Sequence, residues 1–112
     1  MFDKLRGYGC DVDNAMERFL DDEEFYMECY NVLFSSNSLE QLGDALKNGD
    51  IQEAFICSHG MKGTLGNLGL TPLYELMASI VEPLRAGETE GVMDNYEQLC
   101  KEWKKYSEMR QK

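Results

Sequence analysis

Apolar residues recur at intervals of three and four along nearly the whole chain, and this spacing constrains the fold more than any other feature. It places apolar side chains on one stripe of an α-helix. Short joints separate the stripes, at 48–50 (Asn-Gly-Asp) and 69–72 (Gly-Leu-Thr-Pro), and both contain residues that end or begin helices. Valine, isoleucine and threonine are scarce, which favours helix over strand. The sequence therefore predicts an all-α chain.

The first two of five predicted helices precede residue 48. The first is short, about 12–20, with Asp11 or Asp13 as its cap. The second begins after Asp21 and follows an apolar or small register at positions 25, 29, 32, 36, 39, 43 and 46. Because that register continues through the poor helix formers at 35–38, we expect one long helix that is at most kinked there, rather than two helices joined by a loop.

The other three predicted helices have the approximate limits 51–68, 71–86 and 89–110. Asp50 is the expected cap of the third helix, and Thr71 that of the fourth, with Pro72 in its first turn. Pro83 should bend or end the fourth helix because it has no N–H to donate. Short joints make consecutive helices antiparallel. We therefore predict an antiparallel up-down four-helix bundle from the second to fifth helices, with the short first helix packed across one end, as one domain over 1–112.

The charge of the chain excludes several kinds of partner. Acidic residues number 21 and basic residues 11, so the formal net charge is −10. A chain this acidic repels nucleic-acid backbones and anionic membrane surfaces. It contains no apolar run near the roughly 18 residues of a membrane span, and its first residues lack the apolar stretch of a signal peptide. We expect a cytoplasmic protein that binds neither nucleic acid nor membrane.

The four cysteines do not form a metal or disulfide pattern. They lie at positions 10, 29, 57 and 100, with no C-x-x-C pair, and the chain has a single histidine. These residues cannot supply a zinc site at the usual spacing, and a metal-binding bundle would need paired carboxylate-histidine motifs that are absent. We expect free thiols, no metal, and Cys29, Cys57 and Cys100 as small core residues.

The stretch 57–69 is unusual for a core helix because it contains Gly60, Gly63 and Gly66. Each glycine costs about 1 kcal/mol relative to alanine in a helix interior. A loss of roughly 3 kcal/mol is large beside a typical total stability of about 5–15 kcal/mol. This cost indicates that the helix needs bare backbone on its surface.

His59 lies one position off the predicted buried stripe of 58, 61 and 65, so it should point towards solvent or the edge of the stripe. Lys62 and Gly63 follow three and four residues later and are its neighbours on the helix surface. A neutral imidazole is a good nucleophile near neutral pH. Lys62 could offset the charge of a phosphoryl group on His59, Gly63 would leave it room, and Gly66 would extend the open surface for a partner. This set of residues suits a phosphoryl acceptor.

The run His-Gly-Met-Lys-Gly at 59–63, followed by Asn-Leu-Gly at 67–69, resembles the signature of the histidine-containing phosphotransfer (HPt) domain family. That signature has a histidine, any residue, an aliphatic residue and Lys-Gly, then Asn, an aliphatic residue and Gly. The segments 13–26 and 39–50 are also similar to the helices that precede the histidine helix in the family. The resemblance covers about 11–87.

The resemblance implies a helical bundle that takes a phosphoryl group from an aspartate of one receiver domain and passes it to another, as in bacterial two-component signalling. In such a protein His59 is the phosphoacceptor, Lys62 stabilises the phosphoryl group and Gly63 gives steric access. The partners implied are response-regulator receiver domains and a hybrid histidine kinase, with Mg²⁺ on the receiver and no cofactor on this chain. The absence of Walker-type and kinase-type glycine loops agrees with a carrier that has no nucleotide site. We expect a monomer.

Three residues depart from the family pattern: Ser58 stands before the histidine, Gly60 follows it, and Pro83 lies in the next helix. None removes a group that the chemistry needs. Phe55, one turn before the histidine, has two interpretations, as a core residue or, with Gly66, as part of a docking surface for the receiver. The alternative function is a non-catalytic helical adaptor that binds receivers without phosphotransfer.

Overall fold

Seven α-helices follow one another in the computed structural model, which describes residues 1–110. They are α1 (Phe2–Gly7), α2 (Val12–Arg18), α3 (Glu23–Ser35), α4 (Ser38–Lys47), α5 (Ile51–Asn67), α6 (Thr71–Arg85) and α7 (Val92–Ser107). The prediction of an all-α chain is confirmed over the described residues. The last two residues of the predicted domain, 111–112, lie outside that range.

Aspartate side chains begin three of the helices. Asp11, Asp22 and Asp50 each accept a hydrogen bond from the backbone N–H three residues later, at 3.3, 3.0 and 3.1 Å. The caps predicted for the first and third helices are therefore right. The second helix, predicted to begin after Asp21, begins one residue later with Asp22 as its cap, since Leu20 and Asp21 form a turn with positive φ angles of 54° and 58°.

The helix predicted from Asp21 to Leu46 is wrong, since the structure has two helices there. Ser36 leaves the helical conformation with ψ at 164°, and its hydroxyl donates to the Leu33 carbonyl at 2.8 Å. Serine and asparagine side chains of this kind compete with the helical hydrogen bonds of the backbone. The helix therefore ends at Ser35, and a second one begins after Asn37.

The register predicted for this part of the chain is wrong in α3, whereas its positions Leu39, Gly43 and Leu46 in α4 do face the core. The side chains that α3 buries are Tyr26, Tyr30, Leu33 and Phe34. Phe25 and Val32, which the predicted register placed inside, are 50% and 71% exposed. Both tyrosine hydroxyls donate to backbone carbonyls at 2.6 Å, so these amphipathic residues can be buried with their polar ends satisfied.

Gly69 ends α5 as predicted and joins it to α2. Its φ is +70°, and a Cβ at this position would clash with the carbonyl oxygen of Asp11. The N–H of Asp11 donates to the Gly69 carbonyl at 2.8 Å. The close approach of two backbone segments therefore requires glycine here.

Helix α6 and the cysteines differ from expectation in detail. The cap of α6 is Leu70 and not Thr71, and the helix continues through Pro83 for two further residues. Cys10 is the buried cysteine, and the three that were expected in the core, Cys29, Cys57 and Cys100, are only partly buried. Cys29 was expected in the core because of the incorrect register of α3. Cys57 and Cys100 lie at the edges of the buried faces of α5 and α7.

The bundle has four helical segments. Helices α3 and α4 together form the first segment, and α5, α6 and α7 form the other three. Helix α4 packs against α5, α5 against α6, and α6 against α7, while α7 also contacts α3 and α4 and so closes the bundle. The short α1 and α2 precede it, and α1 was not predicted because six residues carry little periodicity. Helix α5 lies between α4 and α6 with one face to solvent. This arrangement exposes the outer face of the histidine helix.

None of the helices within 1–110 is both long and apolar enough to cross a membrane.

Candidate functional site

His59 lies near the middle of α5, on its outer face. The side chain is exposed, whereas Ser58 and Met61 on the inner face are buried, so the predicted orientation towards solvent is confirmed. The Ser58 hydroxyl donates to the Ala54 carbonyl at 2.7 Å, which satisfies it within its own helix. The imidazole packs beside one aromatic ring, that of Phe55, with centroids 5.4 Å apart and an interplanar angle of 31°. A partner can therefore reach the ring from solvent.

The α6 side of His59 carries a group of charges that we call the charged cluster: Lys62, Glu82 and Arg85. The Lys62 ammonium lies 3.6 Å from one carboxylate oxygen of Glu82, and Nε of Arg85 lies 3.5 Å from the other. One carboxylate thus holds two cations. The predicted phosphate-stabilising lysine is beside His59 in the helix, but its partner in this state is Glu82.

Each cation of the charged cluster also lies over an aromatic ring. The Arg85 guanidinium carbon lies 5.2 Å from the centre of the Phe55 ring, and the Lys62 ammonium lies 5.4 Å from that of Tyr74. Such distances allow cation–π attraction. Phe55 is partly buried and packs against the core, and it also lies between His59 and Arg85. Its packing agrees with the interpretation as a core residue, and its role in docking stays a prediction.

The three glycines of α5 have different surroundings. A Cβ added to Gly60 or to Gly63 would meet no atom within 4 Å, so both face open space. A Cβ at Gly66 would lie 3.3 Å from the ring of Tyr74. The backbone next to Gly66 is also occupied, because Arg18 donates to its carbonyl at 2.8 Å. The open surface thus extends over Gly60 and Gly63, while Gly66 accommodates a ring of α6.

The α3 side of α5 carries what we call the apolar groove, a depression of about 680 Å³ between the two helices. Phe25 and Val32 of α3 and Ile56 of α5 line it, and all three are exposed hydrophobic side chains, Ile56 at 56%. Gly60 reaches its edge. Ile56 lies three residues before His59, so the groove begins one helical turn from the imidazole.

Cys57 also lines the apolar groove but is a poor nucleophile. Its thiol donates to a Glu53 carboxylate oxygen at 3.3 Å. Burial, and then this hydrogen bond and the carboxylate charge, raise the pKa of Cys57. A raised pKa keeps the group as the unreactive thiol near neutral pH. His59 is thus the better-placed nucleophile on this face.

Sequence reasoning missed Glu82, Arg85 and the apolar groove. The i, i+3 spacing of Glu82 and Arg85 is visible in the sequence, but their approach to α5 depends on how α6 is rotated about its axis. The groove was missed because the predicted register placed Phe25 and Val32 in the core. Over residues 1–110 no group of three or more His, Cys, Asp or Glu side chains is arranged to hold a metal ion.

A family model described as the Hpt domain matches residues 33–111, a range that contains α4 to α7 together with His59, Lys62 and Gly63. No curated protein and no solved structure matches the chain.

Proposed function

This chain belongs to the Hpt domain family, and from that premise we propose that His59 carries its phosphoryl group. The family consists of phosphotransfer carriers in phosphorelays, which interact with receiver domains or kinases. We propose specifically that His59 accepts the group from a receiver aspartate and passes it to a second receiver.

The position of His59 is the observation that supports this proposal. It is the one histidine of the chain, and it is exposed on a helix whose adjacent surface is open at Gly60 and Gly63. Bare backbone beside a nucleophile lets a tetrahedral phosphoryl group and the loops of a partner approach without steric conflict. An exposed histidine that served only the fold would gain nothing from two glycines that weaken the helix.

The reaction exchanges one bond to phosphorus for another. The lone pair of an imidazole nitrogen attacks the phosphorus of the receiver's aspartyl phosphate, and an N–P bond forms. The P–O bond to the aspartate breaks, and the carboxylate leaves with the electron pair. Onward transfer is the reverse reaction with the aspartate of a second receiver. We expect Mg²⁺ on the receiver to neutralise the phosphoryl oxygens, so this chain needs neither a nucleotide nor a cofactor of its own.

Lys62 and Gly63 have the supporting roles. Lys62 is one turn from His59 and can move from Glu82 to a phosphoryl oxygen, because its four-carbon stem is flexible and its contact with the largely exposed Glu82 carboxylate is long, at 3.6 Å. Gly63 leaves space for the group on the same face. Phe55 packs against the imidazole, and we expect this contact to favour one orientation of the ring. The protein thus positions the nucleophile, and the receiver contributes most of the catalysis.

The apolar groove is the surface on which we place the receiver. In-line attack needs the phosphorus within about 3–3.5 Å of the nitrogen, so the receiver must cover the α5 surface around His59. The groove begins one turn from that point and presents Phe25, Val32 and Ile56 to solvent. An apolar helix face of the receiver, next to its aspartate, fits such a surface. This placement replaces the predicted docking role of Gly66, which Tyr74 partly covers.

Transfer from a phosphorylated receiver tests the proposal. The protein should acquire acid-labile, base-stable phosphate, and the His59→Gln variant should acquire none while it still binds the receiver. Equal labelling of the two proteins would refute the role of His59. Receiver binding without labelling of the parent protein would support the non-catalytic adaptor instead.

A further inference from the structure

The charged cluster has a consequence for the stability of the phosphorylated state. We infer that Glu82 competes with the phosphoryl group for Lys62 and Arg85, and that it thereby keeps phosphohistidine 59 less stable and easier to transfer. This inference rests on the proposed role of His59. It assigns to Glu82 a function in tuning the phosphorylated state. The sequence alone does not reveal this function.

The geometry supports competition because one carboxylate binds both cations. Its two oxygens lie 3.6 Å from the Lys62 ammonium and 3.5 Å from Nε of Arg85. Among the described residues, no other acidic side chain pairs with either cation. The Glu82 side chain is 56% exposed, so water can replace its contacts and the cluster can rearrange. Neither cation is fixed permanently to Glu82.

A phosphoryl group adds about 1.5 to 2 negative charges near neutral pH. Attached to His59, it would lie one helical turn from Lys62. Arg85 packs on the ring of Phe55, whose neighbour is the imidazole, so this second cation is on the same side of α5. The new anion therefore attracts both partners of Glu82.

Phosphorylation of His59 then makes the interactions of the Glu82 carboxylate less favourable in two ways. The carboxylate must share or lose its cations, and its own charge repels the phosphoryl oxygens. Both effects are present only in the phosphorylated state, so they raise its free energy relative to the unmodified protein. Removal of the carboxylate charge should shift the transfer equilibrium towards phosphohistidine. Because the group is largely exposed, we expect a shift of about twofold to fivefold.

A purely orienting role for Glu82 predicts the opposite result. If the carboxylate served to direct Lys62 towards His59, its removal would leave the lysine mobile and weaken the phosphorylated state. The sign of the shift therefore distinguishes competition from orientation.

The experiment uses the full chain as parent protein, Glu82→Gln and Glu75→Gln. Glu75 is an exposed glutamate of the same helix two turns away, so it controls for the loss of one negative charge. Each protein is first phosphorylated with phosphoramidate, whose P–N bond breaks as the bond to the imidazole forms and ammonia leaves. The ratio of phosphohistidine to free histidine is then measured at equilibrium with one receiver domain.

Glu82→Gln should raise that ratio about twofold to fivefold, while Glu75→Gln should match the parent. In a Lys62→Ala background the effect of Glu82→Gln should shrink, because one contested cation is gone. An unchanged or lower ratio for Glu82→Gln would overturn the inference. Failure of phosphoramidate to label His59 in the parent would instead count against the proposed function, so the two failures are distinguishable. Thermal unfolding of the variants checks that each is folded.

Discussion

The two sides of α5 meet at His59 and differ in chemistry. Towards α6 lies the charged cluster, in which Lys62 and Arg85 share the carboxylate of Glu82. Towards α3 lies the apolar groove, in which Val32 and Ile56 are exposed to solvent. Under the proposed function, the charged cluster would act on the phosphoryl group and the groove on the partner. Substitutions in the groove should therefore change receiver affinity, and substitutions in the charged cluster should change phosphoryl transfer.

The largest effect should come from a charge in the apolar groove. Val32→Asp should weaken receiver binding roughly thirtyfold, about 2 kcal/mol, because docking would desolvate an unpaired carboxylate. The lifetime of phosphohistidine in the free protein should not change. Titration of the receiver by calorimetry measures the first quantity and the decay of label measures the second.

Met93→Asp is the matched control for Val32→Asp. Met93 is also an exposed hydrophobic residue, but it lies in the first turn of α7 and outside the groove. It should leave receiver affinity within about twofold, as is usual for a surface change away from an interface. Equal weakening by both variants would mean that net charge, and not the groove, determines binding.

The next largest effect should come from the charged cluster. Lys62→Ala should slow transfer from a phosphorylated receiver about tenfold, because a charge-assisted contact to the phosphoryl group is lost. Receiver affinity and thermal stability should change little, since the 3.6 Å ion pair of Lys62 joins it to a Glu82 side chain that is 56% exposed. Rapid-quench measurement of transfer gives the rate.

Lys101→Ala controls for the loss of a positive charge, because Lys101 is exposed on α7 and belongs to neither the charged cluster nor the apolar groove. It should transfer at the parent rate. A Lys62→Ala protein that fails to fold would contradict the placement of Lys62 as a functional surface residue.

The smallest effect should come from the glycines between the two sides. Gly60→Ala and Gly63→Ala should each stabilise the fold by about 1 kcal/mol, since both face open space in the interior of a helix. Gly63→Ala should also slow transfer, by about twofold to threefold, because its methyl group lies on the face of His59. Denaturant unfolding and transfer rates measure the two effects. Transfer by Gly63→Ala at the parent rate would show that steric access does not depend on this glycine.

The contrast between the two sides also shows what the sequence could predict. The exposure of His59 followed from periodicity within α5 alone, and Asp50 and Gly69 marked the ends of that helix through local backbone chemistry. These features depend on neighbours in sequence. They were therefore predicted correctly.

The groove and the charged cluster depend on contacts between helices. Tyr26 and Tyr30 are buried with their hydroxyls donating hydrogen bonds to the distant carbonyls of Leu68 and Tyr106, and in this register Phe25 and Val32 face outwards. Likewise, Glu82 reaches Lys62 only through the packing of α6 on α5. A pattern in one segment contains no information about such partners, so the register of α3 was wrong and Glu82 was missed.

The most direct test of the central claim is to observe the imidazole itself during transfer. The chain has one histidine, so when this protein alone is labelled with ¹⁵N and the receivers are not, the histidine-ring signals come from His59 alone. Addition of a phosphorylated receiver should move these signals to the positions of a phosphorylated imidazole, and addition of an unphosphorylated second receiver should return them. Phosphate incorporated while the ring signals stay unchanged would contradict the assignment of His59 as the carrier.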